Sequence, residues 1–192
     1  MRGELVNNGV QSLTILGATG SIGVNTLRVL AENPDRFRLF ALSAHTNTEL
    51  LLNQCLQFHP EHAVLTSAED AVKLQQQLKD AGETTQVHYG TESLAWIASA
   101  AEVDMVMAAI VGGAGLLPTL AAAKAGKKVL LANKEALIMA GELFMQAAAA
   151  SKARIIPIDS EHSAIFQCLP VDQQARFKQQ EHKGFTKIVL TG

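Results

Sequence analysis

From Ser12 onward, short β-branched and apolar runs alternate with longer Ala/Leu-rich stretches of helical spacing. The strand segments expected are Ser12–Gly17, Arg38–Ala44, His62–Thr66, Gln86–Tyr89, Val103–Ile110, Lys127–Leu131, Ala153–Ile158 and Phe185–Leu190. Between them the spacing predicts helices over Ser21–Glu32, Thr48–Phe58, Ala68–Ala81, Thr91–Ala100, Gly115–Ala125, Glu135–Ser151 and His162–Leu169. A chain that returns through a helix after every strand re-enters its sheet from the same end, so the strands run parallel. Parallel strands must be covered on both faces. The expected fold is therefore a doubly wound, Rossmann-like α/β domain, with ligands collecting at the C-terminal ends of its strands. Residues 1–11 read as a disordered lead-in, and residues 170–184 as a polar loop or separate small helix before the final apolar strand. A domain seldom stops on such a strand, so a truncated chain is expected.

The first strand leads into Gly17-Ala18-Thr19-Gly20-Ser21-Ile22-Gly23, a Gly-x-x-Gly-x-x-Gly turn that opens the first helix. The first glycine permits the tight turn, the second lets backbone approach a pyrophosphate, and the third lets helix and strand pack closely. Thr19, Ser21 and the free amides of the helix start offer donors to an anion at the positive helix end. An unliganded tight turn is the competing reading. At the end of the second strand, NAD binders usually place a carboxylate that holds the ribose 2′-hydroxyl. Here the chain reads Ala41-Leu42-Ser43-Ala44-His45-Thr46-Asn47, without an acid. Nothing there repels a 2′-phosphate, and Ser43, His45, Thr46 and Asn47 can donate to it, which favours NADP over NAD. The same loop carries no Arg or Lys to pair with that phosphate.

Composition narrows the partners. Lys plus Arg less Asp plus Glu is 16 − 18 = −2, and aromatics make up 5% of the chain. Neither a basic field nor a set of stacking platforms is available for nucleic acid. No apolar stretch approaches the roughly 18 residues of a membrane span. Two well-separated cysteines, Cys55 and Cys168, fit reduced thiols better than a disulfide framework. The expectation is a cytoplasmic protein acting on small molecules, with no nucleic-acid or membrane partner.

Two polar clusters sit where such a sheet places its chemistry. Ala132-Asn133-Lys134-Glu135 follows the strand Val129–Leu131. A lysine there can bind an anionic substrate group or polarise an oxygen, although an ordinary helix start capped by Asn133 reads equally well. Pro157-Ile158-Asp159-Ser160-Glu161-His162 follows the next strand. If the backbone stays extended, Asp159 and Glu161 could both turn toward a hard cation such as Mg²⁺ or Mn²⁺. Two carboxylates fill few of about six positions, so substrate, water and other residues would complete the sphere. A helix N-terminus with Asp159 as cap is the alternative. His59 and His62 bracket Pro60-Glu61, poor spacing for a helical metal pair, and His162 reads as an exposed helix histidine. Ala108–Gly115 reads as a buried strand entering a glycine-rich loop, small enough for a flat ring to lie against backbone. Cys55 and Cys168 read as core thiols in apolar helices.

Four segments in order carry a specific resemblance: Gly17–Gly23, Met107-Ala108-Ala109-Ile110-Val111-Gly112, Leu131–Glu135, and Asp159-Ser160-Glu161-His162-Ser163-Ala164-Ile165-Phe166-Gln167. Together they closely resemble the 1-deoxy-D-xylulose 5-phosphate reductoisomerase family, from about Leu13 to Gly192. The resemblance implies NADPH-dependent conversion of 1-deoxy-D-xylulose 5-phosphate to 2-C-methyl-D-erythritol 4-phosphate in non-mevalonate isoprenoid synthesis. A carbon–carbon rearrangement gives an aldehyde that is then reduced, with Mg²⁺, Mn²⁺ or Co²⁺ chelating the substrate oxygens. By position it implies cofactor contacts at Thr19, Gly20, Ser21, Ile22, His45, Thr46, Asn47, Asn133 and Glu135. It implies substrate contacts at Lys134, Ser160 and Glu161, and metal ligands at Asp159 and Glu161. Lys134, Asp159 and Glu161 are then the catalytic set.

The resemblance divides the chain into an NADP-binding domain over 12–158 and the incomplete start of an α+β catalytic domain over 159–192. The family's chain continues past the final Thr-Gly and there supplies a third acidic ligand, a lid, phosphate-binding residues, most of a homodimer interface and a helical domain. An isolated chain that binds cofactor, turns nothing over and self-associates through apolar surface near Phe185–Leu190 is therefore expected. Many relatives read Gly-Lys-Asn where this chain has His45-Thr46-Asn47, so a cofactor-phosphate contact that is weaker or built differently is expected. Two other classes compete. A semialdehyde dehydrogenase would need a catalytic cysteine, and Ile110–Asp159 contains none. A non-catalytic dinucleotide-binding module would bind cofactor without metal-dependent substrate binding.

Overall fold

The computed structural model describes residues 9–169. Among the described residues, seven strands and seven α-helices alternate without exception. They are β1 (Gln11–Leu16), α1 (Ser21–Glu32), β2 (Phe37–Ser43), α2 (Thr48–Phe58), β3 (His62–Leu65), α3 (Ala68–Asp80), β4 (Gln86–Tyr89), α4 (Gly90–Ser99), β5 (Met105–Ala108), α5 (Leu116–Lys124), β6 (Lys128–Leu131), α6 (Lys134–Ser151), β7 (Arg154–Pro157) and α7 (Ser160–Cys168). A single 3₁₀ turn, Gly113–Gly115, leads into α5. All pairings are parallel, in the order β4-β3-β2-β1-β5-β6-β7. The doubly wound α/β expectation holds.

Strand side chains alternate between two cores. Leu13 and Ile15 of β1 join Met105 and Met107 of β5 on one face, under Leu27 and Leu30 of α1, Leu51 and Cys55 of α2, and Leu74 and Leu78 of α3. Leu16, Val106, Ala108, Val129 and Leu131 face the other way, under Ile97 of α4, Leu120 of α5 and Phe144 of α6. Phe144 is wholly buried, so its truncation to alanine is expected to cost roughly 3–5 kcal/mol. Thr14, buried among these side chains, satisfies its hydroxyl by donating to the Ile97 carbonyl at 2.9 Å, as a buried polar group must. Local signals set the helix starts: Asn47 caps α2, Ser67 caps α3 and Asn133 caps α6, each side chain accepting a first-turn amide.

Several boundaries move. Gln11 belongs to β1 and not to the expected lead-in, of which residues 1–8 lie outside the described residues. The strand expected over Val103–Ile110 narrows to β5, because the chain leaves the sheet at Ala109 for the glycine loop. The last helix begins at Ser160 rather than His162. Within α6 the backbone leaves helical geometry at Ala140 (φ −147°, ψ 33°), beside Gly141, where a kink is cheapest. Cys55 is buried, but Cys168 is exposed. Ile165 and Phe166 are half-buried and no α7 side chain is fully buried, so the apolar pattern there does not denote a core. The expected strand Phe185–Leu190 and the segment 170–184 lie outside the described residues. Among the described residues, no helix is long and apolar enough to cross a membrane.

Candidate functional site: the cleft between β1 and β5

The chain winds outward from β1 through β4, then returns to place β5 on the other side of β1. Connections leaving β1 and β5 diverge to opposite faces, which opens a crevice at their C-terminal ends. Ala109 N–H donates to Leu16 O at 3.0 Å, so the β5 exit lies directly against the β1 exit.

Each glycine of the first turn has its own reason. Gly17 takes φ +85°, and a Cβ on it would lie 2.8 Å from the Ala109 carbonyl oxygen. Gly23 has no room at all, since a Cβ would run into Gly17 O and the backbone of Ala18. Gly20 differs: its φ is −78°, open to any residue. A Cβ there would meet nothing nearer than Gly17 O at 3.5 Å, and the residue is exposed. Neither conformation nor internal packing requires glycine at position 20. What a Cβ would obstruct is the space outside, over the amides of Ser21 and Ile22 at the start of α1. Gly20, as N-cap, brings no side chain to those amides, whose partners must come from outside the helix. The arrangement suits a phosphate-bearing ligand.

Two residues brace this turn. Gly17 N–H donates to Ser43 Oγ at 3.0 Å, and Ala18 N–H to Ser43 O at 2.7 Å. Gln54 of α2, 5% exposed, donates from Nε2 to Ala18 O at 2.9 Å. Ser43 is thus buried in scaffolding and does not join the exposed loop as a ligand donor, contrary to the sequence expectation. His45, Thr46 and Asn47 do form an exposed loop at the end of β2, beside the glycine turn. Asn47 uses its Oδ1 to accept Leu50 N–H at 3.1 Å, which fixes the loop to α2.

On the other side of the crevice, β6 leads through Asn133 into Lys134 and Glu135 at the start of α6. Asn133 is 2% exposed and Glu135 half-buried, while Lys134 reaches into solvent. Lys134 Nζ lies 3.0 Å from Asp159 Oδ2 at the end of β7. Asp159 occupies the N-cap position of α7, yet its carboxylate pairs with Lys134 instead of capping. Its carboxyl is held below the usual aspartate value by hydrogen bonding with the Glu161 side chain and then by Lys134, whose own pKa the same pair raises. Ser160 Oγ donates to Glu161 Oε2 at 2.9 Å. The helix begins at once, so the extended backbone imagined for Asp159 and Glu161 does not occur, but the two carboxyl groups still meet.

Among the described residues, no group of three or more His, Cys, Asp or Glu side chains converges. Asp159 and Glu161 are hard oxygen donors that fit part of the sphere of a magnesium-like ion and leave the rest to other ligands. Of the histidines, His59 pairs with Glu83 at 3.0 Å, and His62 with His88 at 3.1 Å, away from the crevice.

The sequence of residues 13–141 matches the family model for 1-deoxy-D-xylulose 5-phosphate reductoisomerase. A reductoisomerase of that name from Cellvibrio japonicus is 56% identical over 183 residues, covering 94% of this chain and 46% of the relative. A crystal structure of DOX-P reductoisomerase in complex with NADPH, fosmidomycin and magnesium superimposes with a TM-score of 0.85 at 50% identity, over 87% of this chain and 41% of that one. The Zymomonas mobilis enzyme in complex with NADPH gives 0.81 at 39% identity, over 86% and 43%. The chain thus spans under half the length of these relatives. With most of its first strand and the whole glycine turn, β5 exit and Asn-Lys-Glu segment inside the matched region, the chain belongs to the 1-deoxy-D-xylulose 5-phosphate reductoisomerase family.

Proposed function

We propose that this chain binds NADPH across the β1–β5 crevice. In a whole reductoisomerase it provides the cofactor domain and one edge of the site where 1-deoxy-D-xylulose 5-phosphate becomes 2-C-methyl-D-erythritol 4-phosphate. The observation that carries this is Gly20, a glycine with no internal reason to be one, set over an uncapped helix start. The relatives solved with NADPH and magnesium support it. Thr19, Gly20, Ser21 and Ile22 take the pyrophosphate through backbone and hydroxyl donors. His45, Thr46 and Asn47 take the adenosine end, where no carboxylate repels a 2′-phosphate. Asn133 and Glu135 stand at the opposite wall as further cofactor contacts.

Lys134, Ser160 and Glu161 hold the sugar phosphate's oxygens, and Asp159 with Glu161 hold Mg²⁺, Mn²⁺ or Co²⁺. When bound, the cofactor supplies hydride to the aldehyde and the cation draws negative charge from the substrate oxygens. The chain's part is to fix these groups against one another at the ends of β1, β5, β6 and β7, which lowers the barrier by holding the reacting groups in place. Residues 12–158 form the NADP-binding domain, and residues 159–192 begin the catalytic domain of a homodimeric, cytoplasmic parent. The 192-residue chain binds cofactor without turnover, because two carboxylates make only part of a metal site.

Titration with NADPH and NADH, following nicotinamide fluorescence, tests this. Saturable binding that is clearly tighter for NADPH is expected, with no oxidation of NADPH on adding the sugar phosphate and Mg²⁺. Equal affinity for both would overturn the 2′-phosphate assignment, and turnover would overturn the inactivity of the chain.

A further inference from the structure

Two histidines that take no part in the crevice come together at the far edge of the sheet. His62 opens β3 opposite Gln86 of β4, and His88 stands opposite Val64, two residues further along β3. Side chains two apart on a strand share a face, so both imidazoles lie with Val64 on the α4 side of the sheet. There Nδ1 of His62 and Nε2 of His88 meet at 3.1 Å. Trp96 of α4 packs edge-on to both rings, its centroid 4.8 Å from that of His62 and 5.0 Å from that of His88. Phe40 of β2 packs on His62 in the same way at 5.0 Å. The aromatic rings fix the pair in place, yet each histidine is only half-buried and stays open to solvent.

The spacing of the two nitrogens suits more than a hydrogen bond. Two imidazole nitrogens on one cation, each about 2.0–2.1 Å from it, stand roughly 2.9 Å apart at a right angle and roughly 3.3 Å apart at the tetrahedral angle. The observed 3.1 Å lies between these values. We propose that His62 and His88 form a two-nitrogen site for a divalent transition cation of the Zn²⁺, Ni²⁺ and Cu²⁺ class, with water completing the sphere. Imidazole selects these ions over Mg²⁺, which prefers oxygen. The site lies on the opposite side of β1 from Asp159 and Glu161, and it does not depend on the cofactor reading. Without a cation, one ring donates the shared hydrogen and the other accepts it. On binding, the donor ring moves that hydrogen to its other nitrogen, so two lone pairs face the ion and no proton is released. Burial lowers the pKa of both rings, which keeps them neutral at pH 7.5, and the charges of Glu61 and Glu102 act on His62 in the sense that favours a cation. A bound ion ties the edge strand β4 to β3.

Trp96 is the chain's one tryptophan, and open-shell Ni²⁺ or Cu²⁺ quenches an indole this close. Titration of the 192-residue chain with NiCl₂ or CuCl₂ at pH 7.5 should quench its emission saturably with one ion per chain, reversibly with a chelator. Cu²⁺ should bind more tightly than Ni²⁺. Zn²⁺, a closed-shell ion, should restore the emission by competition, and Mg²⁺ should not. His62→Gln and His88→Gln should each weaken Ni²⁺ by at least about tenfold, since losing even a partner of a ligand costs that much. His59→Asn, at a residue that pairs with Glu83 instead, should bind as wild type does. Zn²⁺ should also raise the melting temperature of the wild type and not that of His88→Gln.

Imidazole nitrogen magnetic resonance of the wild-type chain decides the matter even where a variant fails to fold. Zn²⁺ should move the His62 Nδ1 and His88 Nε2 signals together. Zn²⁺ that moves other histidines and leaves these two in place would overturn the proposal. So would Ni²⁺ quenching that is absent in the wild type, or equal in wild type and a folded His88→Gln.

Discussion

The ammonium of Lys134, first residue of α6, lies 3.0 Å from Oδ2 of Asp159, at the N-cap position of α7. One residue read as a substrate ligand thus holds another read as a metal ligand, across the ends of neighbouring strands β6 and β7. If Asp159 serves as a metal ligand, as proposed, a divalent cation and this ammonium would compete for the same carboxylate. Asp159 is 18% exposed at its side chain and Lys134 54%, so the pair is a modest one. Lys134→Met should therefore tighten Mn²⁺ binding to the substrate-free chain by about two- to fivefold, read by electron paramagnetic resonance of free Mn²⁺, while Asp159→Asn should abolish it. Equal Mn²⁺ affinity in Lys134→Met and wild type would contradict the competition.

Gly20 and Gly23 should respond oppositely to a methyl group. Gly20→Ala has room inside the fold and should shift stability by less than about 1 kcal/mol, yet weaken NADPH at least tenfold. Gly23→Ala drives its Cβ into Gly17 O and Ala18, so it should lose about 2–3 kcal/mol or fail to fold. Thermal melts beside the fluorescence titration separate the two. A Gly20→Ala chain that binds NADPH normally would remove the main support for the pyrophosphate site.

Much of this was legible in the sequence and some was not. Strand and helix alternation follows from local patterns, and so does the reason for Gly17 and Gly23, because the turn packs on itself and on the neighbouring strand exit. The Lys134–Asp159 pair and the bonds from Asn133 Nδ2 to the Ile110 and Gly112 carbonyls are contacts across 25 and about 20 residues, decided by which strands lie side by side. Nothing in Ala132–Glu135 alone distinguishes an ordinary cap from a cap that also holds a distant loop. Ser43 looked like a ligand donor because its place at a strand end is right, but alternation turns it inward to brace Gly17. Gln54, a polar residue on the buried face of α2, carries a signal that could have been read: a long amide among Leu51 and Cys55 must find a backbone partner. Cys168 misled because an apolar helix near the end of the described chain need not face a core.

Acid should loosen the fold through the His62–His88 pair. The two rings meet at 3.1 Å, with Trp96 and Phe40 packed around His62. Burial lowers the pKa of His62, as does His88, against opposing pulls from Glu61 and Glu102; burial also lowers His88. Because the folded values lie below the unfolded value near 6.5, the unfolded chain binds protons first. Stability is fully present above about pH 6.5 and falls as pH drops below it toward the folded values. Urea midpoints at pH 7.5 and 5.5 should show this loss, and His88→Gln should flatten it. A midpoint independent of pH over that range would contradict the assignment.

The thiols should divide cleanly. Burial, with Glu83 adding to it, pushes the Cys55 thiol up to about 12, whereas Cys168 is exposed. A thiol-reactive dye at pH 8 should label Cys168 quickly in the native chain and reach Cys55 only on unfolding, since the thiolate is the nucleophile. Rapid native labelling of both would mean that the α2 packing is looser than described.

The central claim is that the glycine turn at the end of β1 holds the pyrophosphate of NADPH while the β5 loop walls the other half. The most direct test is an amide-resolved nuclear magnetic resonance titration of the 192-residue chain with NADPH. The largest shifts should fall on Thr19–Ile22 and on Gly112–Gly115, with smaller ones at His45–Asn47 that vanish when NADH replaces NADPH. Saturating shifts that leave Thr19–Ile22 unmoved would contradict the account.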